Sequence, residues 1–392
     1  MRVLFVHTSY KFRGGEDTVV EEEINLLRSH AVTVDLLAFS NAGDVAASLL
    51  QLPFNFRSYK KTIRKVNEFK PDVVHIHNLH FAGSASVIYA IKKCNVPFVM
   101  TLHNYRLLCP SATLFYNGAI FTNSLKHTFP WKAVKLGVYK NSKLVTFWSA
   151  LSVYMHKISG TWKQCAKLIV LQKHSKKLFL KSSLGFTIDQ VVVKANFCSP
   201  FLKKAKHEGN YFLYVGRLSN EKGIDILLKA FSTSNLSLVI AGDGPLKDHV
   251  ATAVQHHSNI QYVGKLGKEA ISDLMAQSSA LIFPSVWFEG MPLTIIEAFA
   301  CGTPVIASNI GAMQTMITNN YNGLHFKAGD ADDLLNTIMY WQTLPAEQKN
   351  EFSTNASITY NENYTPDLNF IIISRIYASA MQHKGNESYH LL

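Results

Sequence analysis

Glu289 and Glu297 stand with seven residues between them in FEGMPLTIIEAFACGTPVIAS, on either side of a turn that enters a helix at about Pro292. Two carboxylates so placed can accept hydrogen bonds from the neighbouring hydroxyls of a sugar or a ribose. Between them, the backbone N–H groups around Gly290, Met291 and Leu293 sit at a helix start, where the free donors and the helix dipole favour anions. A proline suits that first turn because its missing N–H is no loss there. The chemistry implied is recognition of a polyol joined to a phosphate. Arg217 and Lys222, five residues apart in YVGRLSNEKGID, extend it: the guanidinium can fork onto a phosphate and the ammonium can act as a point charge. Gly14 and Gly15 in FRGGED would let backbone approach a ligand closely. His103 and Asn104, in TLHNY, fall just past an apolar run, where a ligand-facing imidazole could donate to a phosphate or a hydroxyl.

The elements needed to position these residues are legible as short apolar runs. Val3–His7, Val32–Leu37, Val73–Ile76, Phe98–Leu102, Leu168–Leu171 and Gln190–Lys194 read as strands in the first half. Tyr211–Val215, Leu238–Ala241, Ile260–Val263, Ala280–Phe283, Pro304–Ala307 and Gly323–Phe326 read as strands in the second. Stretches long enough for helices separate them, so the connections are crossovers and the sheets parallel. At 392 residues the chain exceeds one ordinary core, and two domains are expected. Their boundary is placed near Asn196–Gly209, where apolar periodicity gives way to charge. The tail from Leu344 to Gln382 reads as helical, and the last ten residues read as disordered.

Cys109–Gln164 departs from the rhythm. It is aromatic and basic, with an amphipathic stretch at Lys143–Ile158 that suits either a membrane interface or a helical insertion with a core face. The net charge of +12 is unevenly held: residues 1–205 carry 28 Lys+Arg against 10 Asp+Glu, and no acidic residue occurs between Asp72 and Asp189. That asymmetry calls for an anionic partner or surface. Five scattered cysteines without a CxxC pair suggest neither a disulfide framework nor a zinc site. The opening MRVLFVHTSY lacks the apolar core of a signal peptide, and the longest uncharged apolar run, Leu144–Met155, is short of the roughly 20 residues of a spanning helix.

Other motifs point to structure. AGDGPLKDH reads as a turn into a helix whose start Asp243 helps to hold, and GDADDLL as a capped helix start rather than a metal pair at Asp330 and Asp332. His75, His77 and His80 alternate at one strand end with no Cys or acid nearby in sequence, so they read as core or cleft-edge histidines rather than a zinc site.

Together these residues resemble the family 4 glycosyltransferases, retaining enzymes of the GT-B fold, from MRVLFVHTSYKFRGGED to about residue 382. The Glu-x7-Glu segment carries most of the likeness, then VGRLSNEKG and the THNY-like Thr101–Tyr105. The resemblance implies an α/β chain of two Rossmann-like, doubly wound parallel-sheet domains facing across a cleft. Residues 1–200 would bind acceptor, with an insertion at about 110–164; residues 208–360 would bind nucleotide sugar; residues 361–392 would form a C-terminal helix packing back towards the first domain, and a tail.

By position, Glu289 with the N–H groups of Gly290, Met291 and Leu293 would hold the donor sugar and phosphate, and Glu297 the ribose. Arg217 and Lys222 would neutralise the leaving diphosphate, Gly14 and Gly15 would close over the phosphates, and His103 would touch the donor sugar. Leu266 and Lys268 would read the base. The family's further Glu in a Gly-x-x-x-Glu segment is Thr315 here. The activity implied is transfer of a hexosyl group from a nucleoside-diphosphate sugar to a glycan or polyprenyl-diphosphate-linked acceptor, without metal or cofactor, in surface polysaccharide or glycolipid synthesis. The chain would be cytoplasmic, in peripheral contact with an anionic membrane, and would not bind nucleic acid. Competing readings are a sugar-nucleotide epimerase or a phosphorylase on the same fold, and a non-catalytic module for anionic ligands.

Overall fold

The structure is a computed structural model that describes residues 1–9, 14–41, 51–200 and 210–389, with side chains described as far as residue 382. The described chain divides into two units. The first comprises residues 1–116, 121–196 and 369–392, and the second residues 117–120 and 197–368.

The first unit is built on a six-stranded parallel sheet. Its strands are β1 (Arg2–Ser9), β2 (Thr33–Ser40), β3 (Val73–Ile76), β4 (Phe98–Leu102), β7 (Lys167–Val170) and β8 (Val191–Val193), in the order β2-β1-β3-β4-β7-β8. Two-residue strands β5 (Phe115–Tyr116) and β6 (Ala119–Ile120) fall between β4 and β7 in sequence. Val3, Leu4, Phe5 and Val6 are all fully buried. An unbroken apolar run is what a strand covered on both faces requires.

The second unit repeats the plan with β9 (Tyr211–Val215), β10 (Ser237–Ala241), β11 (Ile260–Gly264), β12 (Ala280–Phe283), β13 (Val305–Ser308) and β14 (Gly323–Phe326), in the order β11-β10-β9-β12-β13-β14. Every pairing in both sheets is parallel. The strand order reverses between β1 and β3 in one unit and between β9 and β12 in the other. In open α/β sheets, ligands bind beyond the carboxyl ends of the strands at such switch points.

The helix Pro366–Tyr389 continues into the last ten residues, and residues 390–392 lie outside the description. Its first half explains this. Ile373, Ile376, Tyr377 and Ala380 pack into the first unit's core with Val3, Phe5 and Val99. Once a turn is anchored, further residues join a helix cheaply.

The helix Lys143–Ile158 forms in the expected place, and of the two arrangements left open it turns small and polar residues inward. Ser142 caps it, accepting from the Val145 N–H. Its buried residues are Thr146, Ser149, Ala150, Ser152 and His156, while Leu144, Met155 and Ile158 are exposed. Ser152 and His156 hold the carbonyls of Leu52 and Pro53.

Candidate active site

Lys222 arrives at the second unit's switch point through backbone that only glycine can provide. The chain leaves β9 at Gly216 and makes a short turn, Asn220–Lys222. It then passes through Gly223 at φ +74°, where an added Cβ would lie 2.0 Å from the Pro284 carbonyl oxygen. Gly242 does the same service after β10, its Cβ position falling 1.9 Å from the Gly216 carbonyl. These contacts bring the Lys222 turn against the end of β12.

There Lys222 Nζ lies 2.6 Å from Glu289 Oε1, and Ser285 Oγ donates to the same oxygen at 2.6 Å. The Glu289 side chain is 8% exposed and that of Lys222 21%. The ammonium also stands over the rings of Phe283 and Trp287, 5.6 and 5.5 Å from their centroids. A carboxylate, an ammonium and a hydroxyl are thus held at one strand end against an aromatic wall. Such an arrangement can grip hydroxyls and keep a positive charge in place for an anion. Gly311, whose Cβ position approaches Phe288 to 3.0 Å, packs the following loop against this one.

The helix after Glu289 begins at Leu293, with Pro292 as its N-cap and no side chain capping it. Glu297 is half-buried on its second turn. Gly290 and Met291 lie in the loop between Glu289 and this helix. Arg217 is exposed after β9, and the Tyr214 hydroxyl donates to its carbonyl. Leu266 and Lys268 flank Gly267, the N-cap of the helix Lys268–Gln277 beyond β11. Thr315 donates to the Ala312 carbonyl at 3.0 Å, so it is no stand-in for a carboxylate.

Gly14, Gly15 and His103 belong to the first unit. Gly14 precedes the helix Gly15–Ser29 at φ −129°, and an added Cβ at either glycine meets nothing within 4 Å among the described residues. Neither glycine is required by packing, which leaves room for close approach from outside. Asp17, which the sequence reading passed over, fastens this start: its carboxylate accepts from Gly14 N at 2.8 Å and pairs with His7 Nε2 at 2.9 Å. The G-x-x-D spacing of a capping box is the signal that marks it.

His103 Nε2 meets His77 Nδ1 at 3.0 Å. Burial, then electrostatic interaction with His7 and Lys194, pulls His103 down to about 3. His77 is likewise held well below its ordinary value by burial. This pair is neutral at physiological pH and can hydrogen-bond without carrying charge. A cavity of about 50 Å³ at the same edge is lined in part by His77, His80, Asn104 and Arg106. Burial, reinforced by Asp17, raises Glu16 to about 8.

Two expectations need correction. An acid does lie beside the histidines: Glu23 Oε1 is 3.4 Å from His75 Nδ1, with His77 close by, a grouping that could in principle take a metal. Its atoms are engaged only in part, since Glu23 Oε1 and His77 Nε2 are buried without a hydrogen-bond partner. His75 bonds Tyr377 and Thr101, both at 2.7 Å, and the Lys194 ammonium, 3.1 Å from Glu23 Oε2, is the cation of the cluster. Asp243 does not cap the helix Lys247–His256; its carboxylate takes the N–H of the adjacent Gly244 instead. Asp330 caps its helix as expected, accepting from Asp333 N.

Two family models divide the chain. Residues 13–150 match the model described as Glycosyltransferase Family 4, and residues 200–358 the model described as Glycosyl transferases group 1. An uncharacterized glycosyltransferase of Methanocaldococcus jannaschii is 24% identical over 278 residues, 65% of this chain and 62% of that protein, so the chain spans about three fifths of that relative's length. The alpha-monoglucosyldiacylglycerol synthase of Acholeplasma laidlawii is 25% identical over 321 residues, 76% of this chain and 73% of the relative. Among solved structures, Anabaena HepE in complex with UDP and glucose shares the fold, with a TM-score of 0.66, 18% identity, and coverage of 97% of this chain and 100% of the other.

Proposed function

That this chain belongs to the glycosyltransferases of family 4 and group 1 is the premise from which we propose its reaction: transfer of a hexosyl group from a nucleoside-diphosphate sugar to a hydroxyl of a glycan or lipid-linked acceptor, with retention of configuration. The observation that carries the proposal is the Lys222–Glu289–Ser285 cluster at the second unit's switch point. The relative solved with UDP and glucose supports a nucleoside-diphosphate donor, and the diacylglycerol-modifying relative supports a lipid acceptor.

In this reading the bond between the sugar C1 and the phosphate oxygen breaks, and negative charge grows on the departing diphosphate. Lys222 and the exposed Arg217 meet that charge in fixed positions, which stabilises it better than reorganising water does. Glu289 accepts from the donor sugar's hydroxyls and Glu297 from the ribose. Backbone at Gly290, Met291 and Leu293 lines the phosphate side, and Leu266 and Lys268 meet the base. The acceptor oxygen bonds to C1 on the face the diphosphate leaves, and its proton passes to the departing phosphate oxygen. On the first unit, Gly14 and Gly15 offer closely approachable backbone, and His103 a neutral imidazole for a hydroxyl. The scheme calls for no divalent ion or organic cofactor.

The test is a panel of nucleotide sugars, with released nucleoside diphosphate and the anomeric configuration of the product measured against lipid-linked and free glycan acceptors, with and without EDTA. Acceptor-dependent release that survives EDTA, with retained configuration, is expected. Donor epimerised without any acceptor would overturn the reading in favour of an epimerase.

A further inference from the structure

The helix Lys143–Ile158 turns its large apolar side chains outward. Leu144, Trp148, Leu151, Met155 and Ile158 recur at spacings of four and three. At 100° per residue they fall within about 80° of arc. Leu144 is 82% exposed, Ile158 66% and Met155 44%, while Trp148 and Leu151 are half-buried. The opposite face, which packs inward, is Thr146, Ser149, Ala150, Ser152 and His156. A helix filling a core has the reverse arrangement.

The neighbouring short helix Trp131–Leu136 adds to the same surface. Its Trp131 is 58% exposed and stacks on Phe147 at 6.4 Å between centroids. Lys132, Lys135, Lys140 and Lys143 are exposed along these two helices and the turn between them, inside the stretch from Asp72 to Asp189 that contains no acidic residue. Apolar anchors, interfacial tryptophan and unopposed lysines together fit an anionic lipid surface. From Leu144 to Ile158 the stripe is about 21 Å long, and no helix among the described residues is long and apolar enough to cross a membrane.

We infer that the outward face of Lys143–Ile158, with Trp131–Leu136 beside it, docks the first unit in the plane of an anionic lipid interface. The surface deepens the proposed function, because it would bring the chain to a lipid-linked acceptor. It is tested without donor or acceptor, so failure to bind lipid and failure to transfer sugar are separate results.

The experiment compares the full chain with a Leu144→Asp/Ile158→Asp variant on vesicles of phosphatidylcholine alone and of an equal mixture with phosphatidylglycerol. Wild-type protein is expected to cosediment with the mixed vesicles, with tryptophan emission shifted to the blue and quenched by brominated lipid. Each lysine at the surface favours the anionic vesicles by about fivefold, lost as salt is raised. The variant is expected to bind at least about tenfold more weakly. Its circular dichroism and melting temperature should be unchanged, since both substituted side chains stand in solvent. Equal binding by variant and wild type would overturn the inference, as would vesicle binding with no change in tryptophan emission. Self-association of wild-type protein without lipid, abolished in the variant, would overturn it in favour of an interface with a second copy.

Discussion

Replacing Lys222 by Met separates what the Lys222–Glu289 pair does for stability from what it does for transfer. At 2.6 Å, Coulomb's law with an effective dielectric of about 20 gives about 6 kcal/mol of raw attraction. Glu289 is nearly enclosed, so loss of solvation takes back more than half of this, and Lys222 is exposed enough to recover some on its own. The Lys222→Met variant is therefore expected to lose about 2–3 kcal/mol of stability, chiefly through the carboxylate left unpaired. That is tolerable for a fold of typical stability, about 5–15 kcal/mol.

Adding Glu289→Gln removes the stranded charge and is expected to return about 2 kcal/mol. If Lys222 stabilises charge on the departing phosphate, kcat in the single variant falls by about 10²–10³ and stays low in the double variant. Urea denaturation and initial-rate kinetics on wild type, both singles and the double give the complete cycle. Recovery of transfer together with stability in the double variant would refute the argument and leave the pair a structural tie.

Gly223→Ala should destabilise by at least about 2 kcal/mol, because the residue has positive φ and its methyl would strike the Pro284 carbonyl; a melting temperature within a degree of wild type would contradict this. Gly15→Ala should leave the melting temperature unchanged or slightly higher, since nothing among the described residues lies within 4 Å of its Cβ position, while raising KM for a reactant; unchanged KM would remove this glycine from the site. His103, about 3 when folded against 6.5 when unfolded, makes the unfolded chain the greater proton binder below pH 6.5. Its contribution is thus complete above that pH and lost as pH falls towards 3, about 2 kcal/mol at pH 5. A His103→Gln variant whose stability falls as steeply as wild type's between pH 6.5 and 5 would refute that origin.

The sheets were legible because runs such as Val73–Ile76 and Leu281–Phe283 are buried on both faces and so apolar throughout. The individual site residues were legible from local chemistry: paired carboxylates at a helix start, cations after a strand, adjacent glycines. Which of them touch was not, because contact depends on strand order. Lys222 and Glu289 are 67 residues apart and meet only because β9 and β12 are neighbours. The His75–Tyr377 bond spans 302 residues and has no local signature. For the helix Lys143–Ile158, periodicity shows that two faces differ but not which one turns inward. Ser152 and His156 can turn inward because the Leu52 and Pro53 carbonyls satisfy them, a pairing with no local signature in the sequence.

The first unit's core has a consequence for how the protein is made. Ile373, Ile376, Tyr377 and Ala380 fill it alongside Val3 and Phe5, and Asn369 holds both the Lys194 ammonium and the Ala195 carbonyl. A ribosome that has released the first 196 residues has therefore delivered a sheet without its last covering helix. Nearly two hundred further codons, some ten to forty seconds at about 5–20 residues per second, pass before Tyr377 and Ala380 emerge. The second unit is contiguous from Phe197 to Leu368 apart from one four-residue piece already synthesised, so it can settle first. The sheet formed by the earliest residues is thus covered only when the chain is nearly complete.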